Sequence, residues 1–150
     1  MRKNNQSTQI YFEDVSIGMK LPVLVKRPNE VQLFMYAAAI WDTHRTHWDI
    51  PYATATEKLP GILVVGHHQA AFLGQLVTDW IGFHGKLLSL NYRNQSMAIA
   101  GDVLHCRGTV KEIKDEGNNS VLVADLWIEN QRKEITTTGE ATIRLPRRNV

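Results

Sequence analysis

Hydrophobic and polar residues follow two different periods along this chain. Up to about residue 82 the longer apolar segments repeat at helical spacing, whereas from residue 86 onward apolar and polar side chains alternate. The first spacing buries one stripe of a helix, and the second buries one face of a strand. One early strand, then helices, then four consecutive strands predicts an α+β fold with an antiparallel sheet.

The first helix is predicted from its capping residues. Asn29 follows Pro28 and precedes Gln32 by three positions, which is the spacing of an N-cap and its capping-box partner. The helix is expected to run to about Trp41, so that its C-terminal end delivers Asp42. The preceding residues 20–27, KLPVLVKR, are predicted to form a strand.

The second helix has the wider apolar stripe. Ala70, Leu73, Val77 and Trp80 recur at helical spacing in QAAFLGQLVTDWIG, and Gly82 and Gly85 are expected to end the helix. An apolar surface of this width predicts a mostly buried central helix. The short run GILVV before it is expected to be extended.

The second half of the chain is predicted to be a meander of strands. Turn signals fall at residues 101–102, 117–119 and 130–133. The predicted core positions of the strands are Leu88, Leu90, Tyr92, Leu104, Cys106, Val110, Leu122, Ala124, Leu126, Ile128, Ile135, Ala141, Ile143 and Leu145.

Composition narrows the class of protein. A chain of 150 residues that is 43% hydrophobic suits one globular domain, predicted over residues 10–146, with a disordered start at 1–9 and a tail at 147–150. A net charge of +2 without a basic, aromatic-rich run argues against nucleic acid as a partner. An apolar leader and an 18-residue apolar run are both lacking, so a cytoplasmic protein without membrane attachment is expected.

Ionisable side chains crowd into one short segment, WDTHRTHWDIPYA. Asp42, His44, Arg45, His47 and Asp49 fall within eight positions, directly after the first predicted helix. A solvated polar loop is one interpretation, because polar loops are common. The other is a site that moves protons, because carboxylate and imidazole are the usual acid–base groups near neutral pH.

The segment resembles the motif of the MaoC-like hydratases, in which an aspartate precedes a histidine by five positions. Asp42 and His47 match that pair, while His44 and Arg45 stand where the family has asparagine and proline. The opening YFEDVSIGMKLP and the turn AIAGDVL are also similar to the family, so the resemblance spans residues 10–146. It implies a hot-dog fold, an antiparallel curved sheet wrapped around a central helix.

The resemblance also implies chemistry. Members of this family are hydro-lyases that hydrate enoyl thioesters, which makes Asp42 and His47 the expected catalytic pair and the backbone N–H of Gly66 the expected donor to the enolate oxygen. Weaker substrate-binding candidates are His44, Arg45, His67 and His68. Coenzyme A is expected as part of an acyl-CoA substrate, with no separate cofactor. No metal is expected, because His44 and His47 lack a third ligand at recognisable spacing.

Two other functions stay open. A hot-dog thioesterase normally uses a carboxylate in or near the central helix, where this chain has Gln69 early and Asp79 late. A non-catalytic subunit that shapes a partner's pocket is the second alternative, since VTDWIG resembles subunits of two-chain hydratases. A homodimer or higher homo-oligomer is expected, with a heteromer of related hot-dog subunits as the alternative.

The remaining polar residues have structural interpretations. Arg45 could contact substrate or pair with Asp49, and neither interpretation is favoured. Asp79 and Trp80 are expected to pack and cap the second helix, and His84 and His105 to face solvent. Cys106 is the only cysteine, so the chain forms no internal disulfide, and its place on an apolar strand face predicts a core residue.

Overall fold

The computed structural model describes residues 9–117 and 120–148. Two α-helices and five strands make up its framework. The helices are α1 (Glu30–Ala39) and α2 (Gly66–Ile81), and the strands are β1 (Leu24–Lys26), β2 (Lys86–Asn94), β3 (Leu104–Lys114), β4 (Val121–Glu129) and β5 (Ile135–Arg144).

The five strands form one antiparallel sheet in the order β1-β3-β4-β5-β2. The sheet curls around α2, whose inward residues Leu73, Leu76 and Val77 are at most 2% exposed. The predicted strand positions Leu104, Leu122, Ile128 and Ile143 are fully buried in the same core. The α+β prediction, with a central helix inside a curved sheet, is confirmed.

Helix α1 begins as its sequence predicts. The Asn29 side chain accepts a hydrogen bond from the Gln32 N–H (2.9 Å), and the Gln32 side chain accepts one from the Asn29 N–H (3.1 Å). This reciprocal pair satisfies two donors that a helix start leaves free. The helix ends at Ala39, two residues before the expected end at Trp41.

Helix α2 begins at Gly66, earlier than its apolar stripe, and ends at Ile81. Gly82 has a φ of 71°, a conformation that glycine adopts without strain, so its predicted role in ending the helix is confirmed. Before α2, only Leu63 of the expected extended run forms a β-bridge, with Ile99. The preceding small-residue loop contains a helical turn at Tyr52–Thr56.

Three strand predictions need correction. Strand β1 covers only Leu24–Lys26 of the expected residues 20–27, since Lys20 meets the sheet at a single bridge with Thr109. A register shift between Leu87 and Ser89 turns Leu88 outward, and it is 44% exposed. Ile135, at the start of β5, is 37% exposed and pairs with Glu129 beyond a second register shift.

The turn at residues 130–133 connects β4 to β5 as predicted. Lys133 has a φ of 65°, and the Asn130 side chain accepts hydrogen bonds from the Arg132 and Glu134 N–H groups. The expected turn at 117–119, the disordered start and the C-terminal tail lie partly outside the described residues. Of the tail, Arg147 contacts Asp115, and Arg148 bonds Asp14.

Within the described ranges, no helix is long and apolar enough to cross a membrane.

Candidate active site

Asp42 is held by the way α1 ends. The Asp42 N–H donates to the Ala37 carbonyl (2.8 Å) and the Trp41 N–H to the Ala38 carbonyl (3.2 Å), which is the hydrogen-bond pattern of a Schellman motif. Trp41 occupies the left-handed position of that motif, with a φ of 60°, although glycine is the usual residue there. The helix end therefore fixes the backbone of Asp42 at the cost of strain at Trp41.

His47 is held by the segment that leads into α2. It ends a 3₁₀ turn, Arg45–His47, whose Thr46 carbonyl accepts from the Leu63 N–H (2.9 Å). His47 Nδ1 lies 2.9 Å from the Leu63 carbonyl oxygen. Because a carbonyl oxygen only accepts, Nδ1 carries a proton, and in neutral His47 the lone pair is on Nε2.

Asp42 and His47 therefore meet through defined atoms. Asp42 Oδ1 accepts from the His44 N–H (2.9 Å), and Asp42 Oδ2 lies 3.8 Å from His47 Nε2. That separation is too long for a direct hydrogen bond and suits a water molecule that donates to both atoms. The side chains are 25% and 15% exposed, so the pair is sheltered but accessible.

An open cleft of about 640 Å³ lies beside Asp42, and His47 is not among the residues that line it. It is lined by Ile40, Trp41, Asp42, Thr43, His44, Arg45, Tyr52 and His67. Four of the residues predicted for the site, including His67 from the first turn of α2, thus share one cleft. His67 also lies edge-on to Tyr92, with ring centroids 6.2 Å apart.

Gly66 opens the helix immediately before His67. The His68 and Gln69 N–H groups both donate to the Val65 carbonyl, whereas the Gly66 N–H has no acceptor among the described residues. A free N–H at a helix start is a donor for negative charge. The predicted donor, the Gly66 N–H, is therefore available at the first residue of α2, next to His67, which lines the cleft.

Arg45 is paired within its own loop. Its Nη2 lies 2.6 Å from Asp49 Oδ2, and its guanidinium group lies over the Tyr52 ring, 4.3 Å from the centroid. The Tyr52 N–H and then Arg45 lower the pKa of Asp49 below its usual value. The structure thus shows the pairing interpretation of Arg45, while the side chain still borders the cleft.

His68 is separated from the other histidines. Its ring stacks on Tyr36, with centroids 3.9 Å apart, and faces a second groove of about 480 Å³ between α1 and α2. Burial and then the Lys26 ammonium group lower the pKa of His68 to about 4. His68 is therefore neutral at physiological pH and belongs to the packing of the two helices as well as to that groove.

The other sequence assignments are mostly retained. Trp80 packs against the core, and Asp79 accepts from Gln75 (3.3 Å). His84 is exposed, but His105 is half-buried with Nδ1 shielded from solvent, on strand β3 between β1 and β4. Cys106 is fully buried, which raises the pKa of its thiol to about 12.

Two polar residues, Asn94 and Thr137, were missed by the sequence analysis, and Asn94 lies against Gly66. Asn94 at the end of β2 and buried Gln69 both lie 3.0 Å from the hydroxyl group of buried Thr137. They come from α2, β2 and β5, and only the tertiary fold joins them. No group of three His, Cys, Asp or Glu side chains that could hold a metal occurs in the described ranges.

Comparison with known families identifies a hydroxyacyl-thioester dehydratase family. The model of Htd2, hydroxyacyl-thioester dehydratase type 2, matches residues 21–100, which contain both helices and the Asp42–His47 segment. None of the curated proteins compared with the chain matches it.

Solved structures show the same fold at low sequence identity. The (R)-hydratase from A. caviae involved in PHA biosynthesis superposes with a TM-score of 0.81 at 21% identity, covering 89% of this chain and 99% of its own. R-hydratase PhaJ1 from Pseudomonas aeruginosa gives 0.83 at 24% identity, covering 93% and 87%. The ChsH1-ChsH2 complex from Mycobacterium tuberculosis gives 0.77 at 19% identity, covering 87% and 98%. The predicted hot-dog fold is confirmed.

Proposed function

The chain belongs to the hydroxyacyl-thioester dehydratase type 2 family, and from this premise we propose that it adds water reversibly across the α,β double bond of an enoyl thioester such as an enoyl-CoA. The observation that carries the proposal is the approach of Asp42 Oδ2 to His47 Nε2 at 3.8 Å, with Asp42 lining an open cleft. The proposed reaction needs no separate cofactor. Coenzyme A takes part only as a portion of the thioester substrate.

Asp42 and His47 act jointly on one water molecule. The water donates to Asp42 Oδ2 and to His47 Nε2, which leaves a lone pair on its oxygen for the β-carbon. As the C–O bond forms, the pair takes one proton from the water and returns one proton to the α-carbon. The net change is addition of H and OH across the double bond, and dehydration is the reverse.

Negative charge develops on the thioester oxygen while the α-carbon awaits its proton. The N–H of Gly66 is the donor proposed for that oxygen, because no described residue accepts from it and it lies at the positive end of the 16-residue helix α2. His67, His44 and Arg45 border the cleft beside Asp42 and are the side chains proposed to bind the rest of the thioester.

The thioesterase alternative has less support. In the first half of α2 the polar residue at the relevant place, Gln69, is 2% exposed and is bonded to Thr137. Asp79 is exposed near the other end of the helix and accepts from Gln75. Neither side chain is placed as a carboxylate base beside Gly66.

The experiment compares the hydration kinetics of the wild type with those of variants that each lack one of the two acid–base side chains. Asp42→Asn and His47→Ala should each lower hydration of crotonyl-CoA by about a hundredfold to ten-thousandfold, because each removes an acid–base group. Asp79→Asn is the matched control and should hydrate at the wild-type rate.

Loss of the enoyl absorbance reports hydration, and release of free thiol reports thioester cleavage. Thiol release without loss of the double bond would favour the thioesterase, and wild-type hydration by Asp42→Asn or His47→Ala would refute the assigned pair. A folded chain inactive in both assays until a related hot-dog subunit is added would identify it as one half of a heteromer.

A further inference from the structure

Asn94 lies at the last position of β2, directly opposite Thr137 of β5. Thr137 is fully buried, and its hydroxyl oxygen is 3.0 Å from Asn94 Oδ1 and 3.0 Å from the Gln69 amide oxygen position. A hydroxyl group has one proton to donate, so it donates to one of these amides and accepts from the other.

Two arrangements give all three side chains a partner, and one of them keeps Asn94 Oδ1 beside Thr137 and Asn94 Nδ2 beside Gly66, as the structure places them. In that arrangement the Thr137 hydroxyl donates to Asn94 Oδ1, and the buried Gln69 turns its amide NH₂ toward the Thr137 oxygen. The two orientations of an amide differ only in which atom is called nitrogen. Asn94 then has a fixed side-chain plane, with its own NH₂ directed away from Thr137.

The Asn94 NH₂ lies against Gly66. A Cβ atom at Gly66 would be only 2.1 Å from Asn94 Nδ2, so the Asn94 amide occupies the space that a side chain at residue 66 would need. In a helix the Cα–Cβ direction tilts toward the N-terminus, as the N–H groups do. Asn94 Nδ2 and the Gly66 N–H are therefore neighbouring donors, and neither has an acceptor among the described residues.

We propose that Asn94 Nδ2 is the second hydrogen-bond donor to the thioester carbonyl oxygen, beside the Gly66 N–H, and that Thr137 is the positioning residue that holds the Asn94 amide in this orientation. The inference rests on the proposed function. Two donors from different elements, one backbone and one side chain, would enclose the oxygen on which negative charge develops. The absence of a side chain at Gly66 makes this pairing of donors sterically possible.

The kinetic test uses the purified full chain and crotonyl-CoA. Asn94→Ala should lower kcat/KM by about a hundredfold, the effect typical of losing one such donor, with the melting temperature retained. Asn91→Ala is the matched control, since Asn91 is an exposed asparagine on the same strand. Thr137→Ser should stay near wild type and Thr137→Val should lose activity. An Asn94→Ala enzyme with wild-type kcat/KM would overturn the inference.

A spectroscopic test separates this inference from the proposed function. In an Asp42→Asn background, [1-¹³C]crotonyl-CoA should show a downfield carbonyl resonance on binding, and adding Asn94→Ala should reduce that displacement. An Asn94-dependent displacement in a chain that proves inactive would support the donor while the proposed hydration fails. The same displacement with and without Asn94, or none in the Asp42→Asn protein, would overturn the donor even if wild-type hydration is observed.

Discussion

The imidazole of His68, which packs between α1 and α2, makes the stability of the folded protein depend on pH. Its ring stacks on Tyr36 and contacts the tilted Phe72 ring, with centroid separations of 3.9 and 4.5 Å, and its buried Nδ1 has no hydrogen-bond partner among the described residues. Charging this ring would place a cation near Lys26 in a poorly hydrated position, and burial is accordingly the largest cause of its lowered pKa.

We predict that His68 makes the folded protein less stable in mild acid. An unfolded histidine binds its proton near pH 6.5, whereas folded His68 binds one only at about pH 4. Between those values the unfolded chain holds more protons, so the free energy of unfolding falls as the pH is lowered. Urea midpoints measured from pH 7 to pH 5 should fall less steeply for His68→Phe, which keeps the aromatic stack.

His84→Phe is the control, since His84 is exposed, and its midpoints should run parallel to those of the wild type. Equal pH slopes for wild type and His68→Phe, or an NMR titration of the His68 ring near pH 6.5, would contradict the prediction.

At this scale the sequence identifies residues that are close in the chain and misses those joined by the fold. Asp42 and His47 are five positions apart on one helix end and one turn, so their spacing is a visible signal. The Tyr36–His68 stack and the Asn94–Thr137 bond connect residues at least 30 positions apart. An asparagine at the end of a strand looks the same whether it faces solvent or a helix start.

Two glycines of α2 differ in what surrounds them. A Cβ at Gly66 would collide with the Asn94 amide at 2.1 Å, while a Cβ at Gly74 would meet Leu90 at 3.9 Å, an ordinary contact. Gly74 lies in the helix interior, where replacing glycine by alanine gains about 1 kcal/mol, whereas Gly66 is the first residue of the helix. Comparing alanine variants of the two glycines therefore separates an effect on helix stability from an effect on catalysis.

We predict that Gly74→Ala raises the melting temperature by about 2–4 °C and leaves kcat/KM unchanged. Gly66→Ala should leave the melting temperature close to that of the wild type, because the exposed Asn94 side chain can exchange its hydrogen bond to Thr137 for one to solvent, but should lower kcat/KM at least about tenfold, since the added methyl group displaces the Asn94 amide. Calorimetry and crotonyl-CoA kinetics measure both. Full activity in Gly66→Ala would show that the position of Asn94 is unimportant.

The elements themselves were largely predictable because local rules agree with the tertiary fold. The capping box of α1, the apolar stripe of α2 and the alternation in β3 and β4 each point to one structure. The length of β1 and the register shift at Leu88 were not predictable, since both depend on hydrogen bonding to a neighbouring strand that is distant in sequence. Strand β1 pairs only with β3, and three residues suffice for that contact.

The molecule as a whole leaves apolar and hydrogen-bonding surface uncovered. Strand β2 is at one edge of the sheet with nine residues, and α1 exposes Val31, Phe34 and Met35, each more than half exposed. A long free edge and a contiguous apolar face are features that proteins usually cover.

We predict that the purified chain is an oligomer in solution, a homodimer in the simplest case. Light scattering should give a mass at least twice the 17.1 kDa of one chain, and alternate amides of β2 should exchange slowly with deuterium if that edge is paired. A monodisperse monomer with full hydratase activity would contradict the prediction. Arg93→Ala, which leaves the backbone of the edge intact, should keep the mass of the wild type.

The chain carries its own reporter of unfolding. Cys106 is its only thiol. It is fully buried in β3 and pairs with Ile128 on β4. A thiol reagent can reach it only in molecules whose sheet has opened, since burial keeps the thiol both protonated and out of reach. The rate of thiol modification therefore reports how often the sheet opens. A ligand that slows this modification binds the folded protein in preference to the opened one.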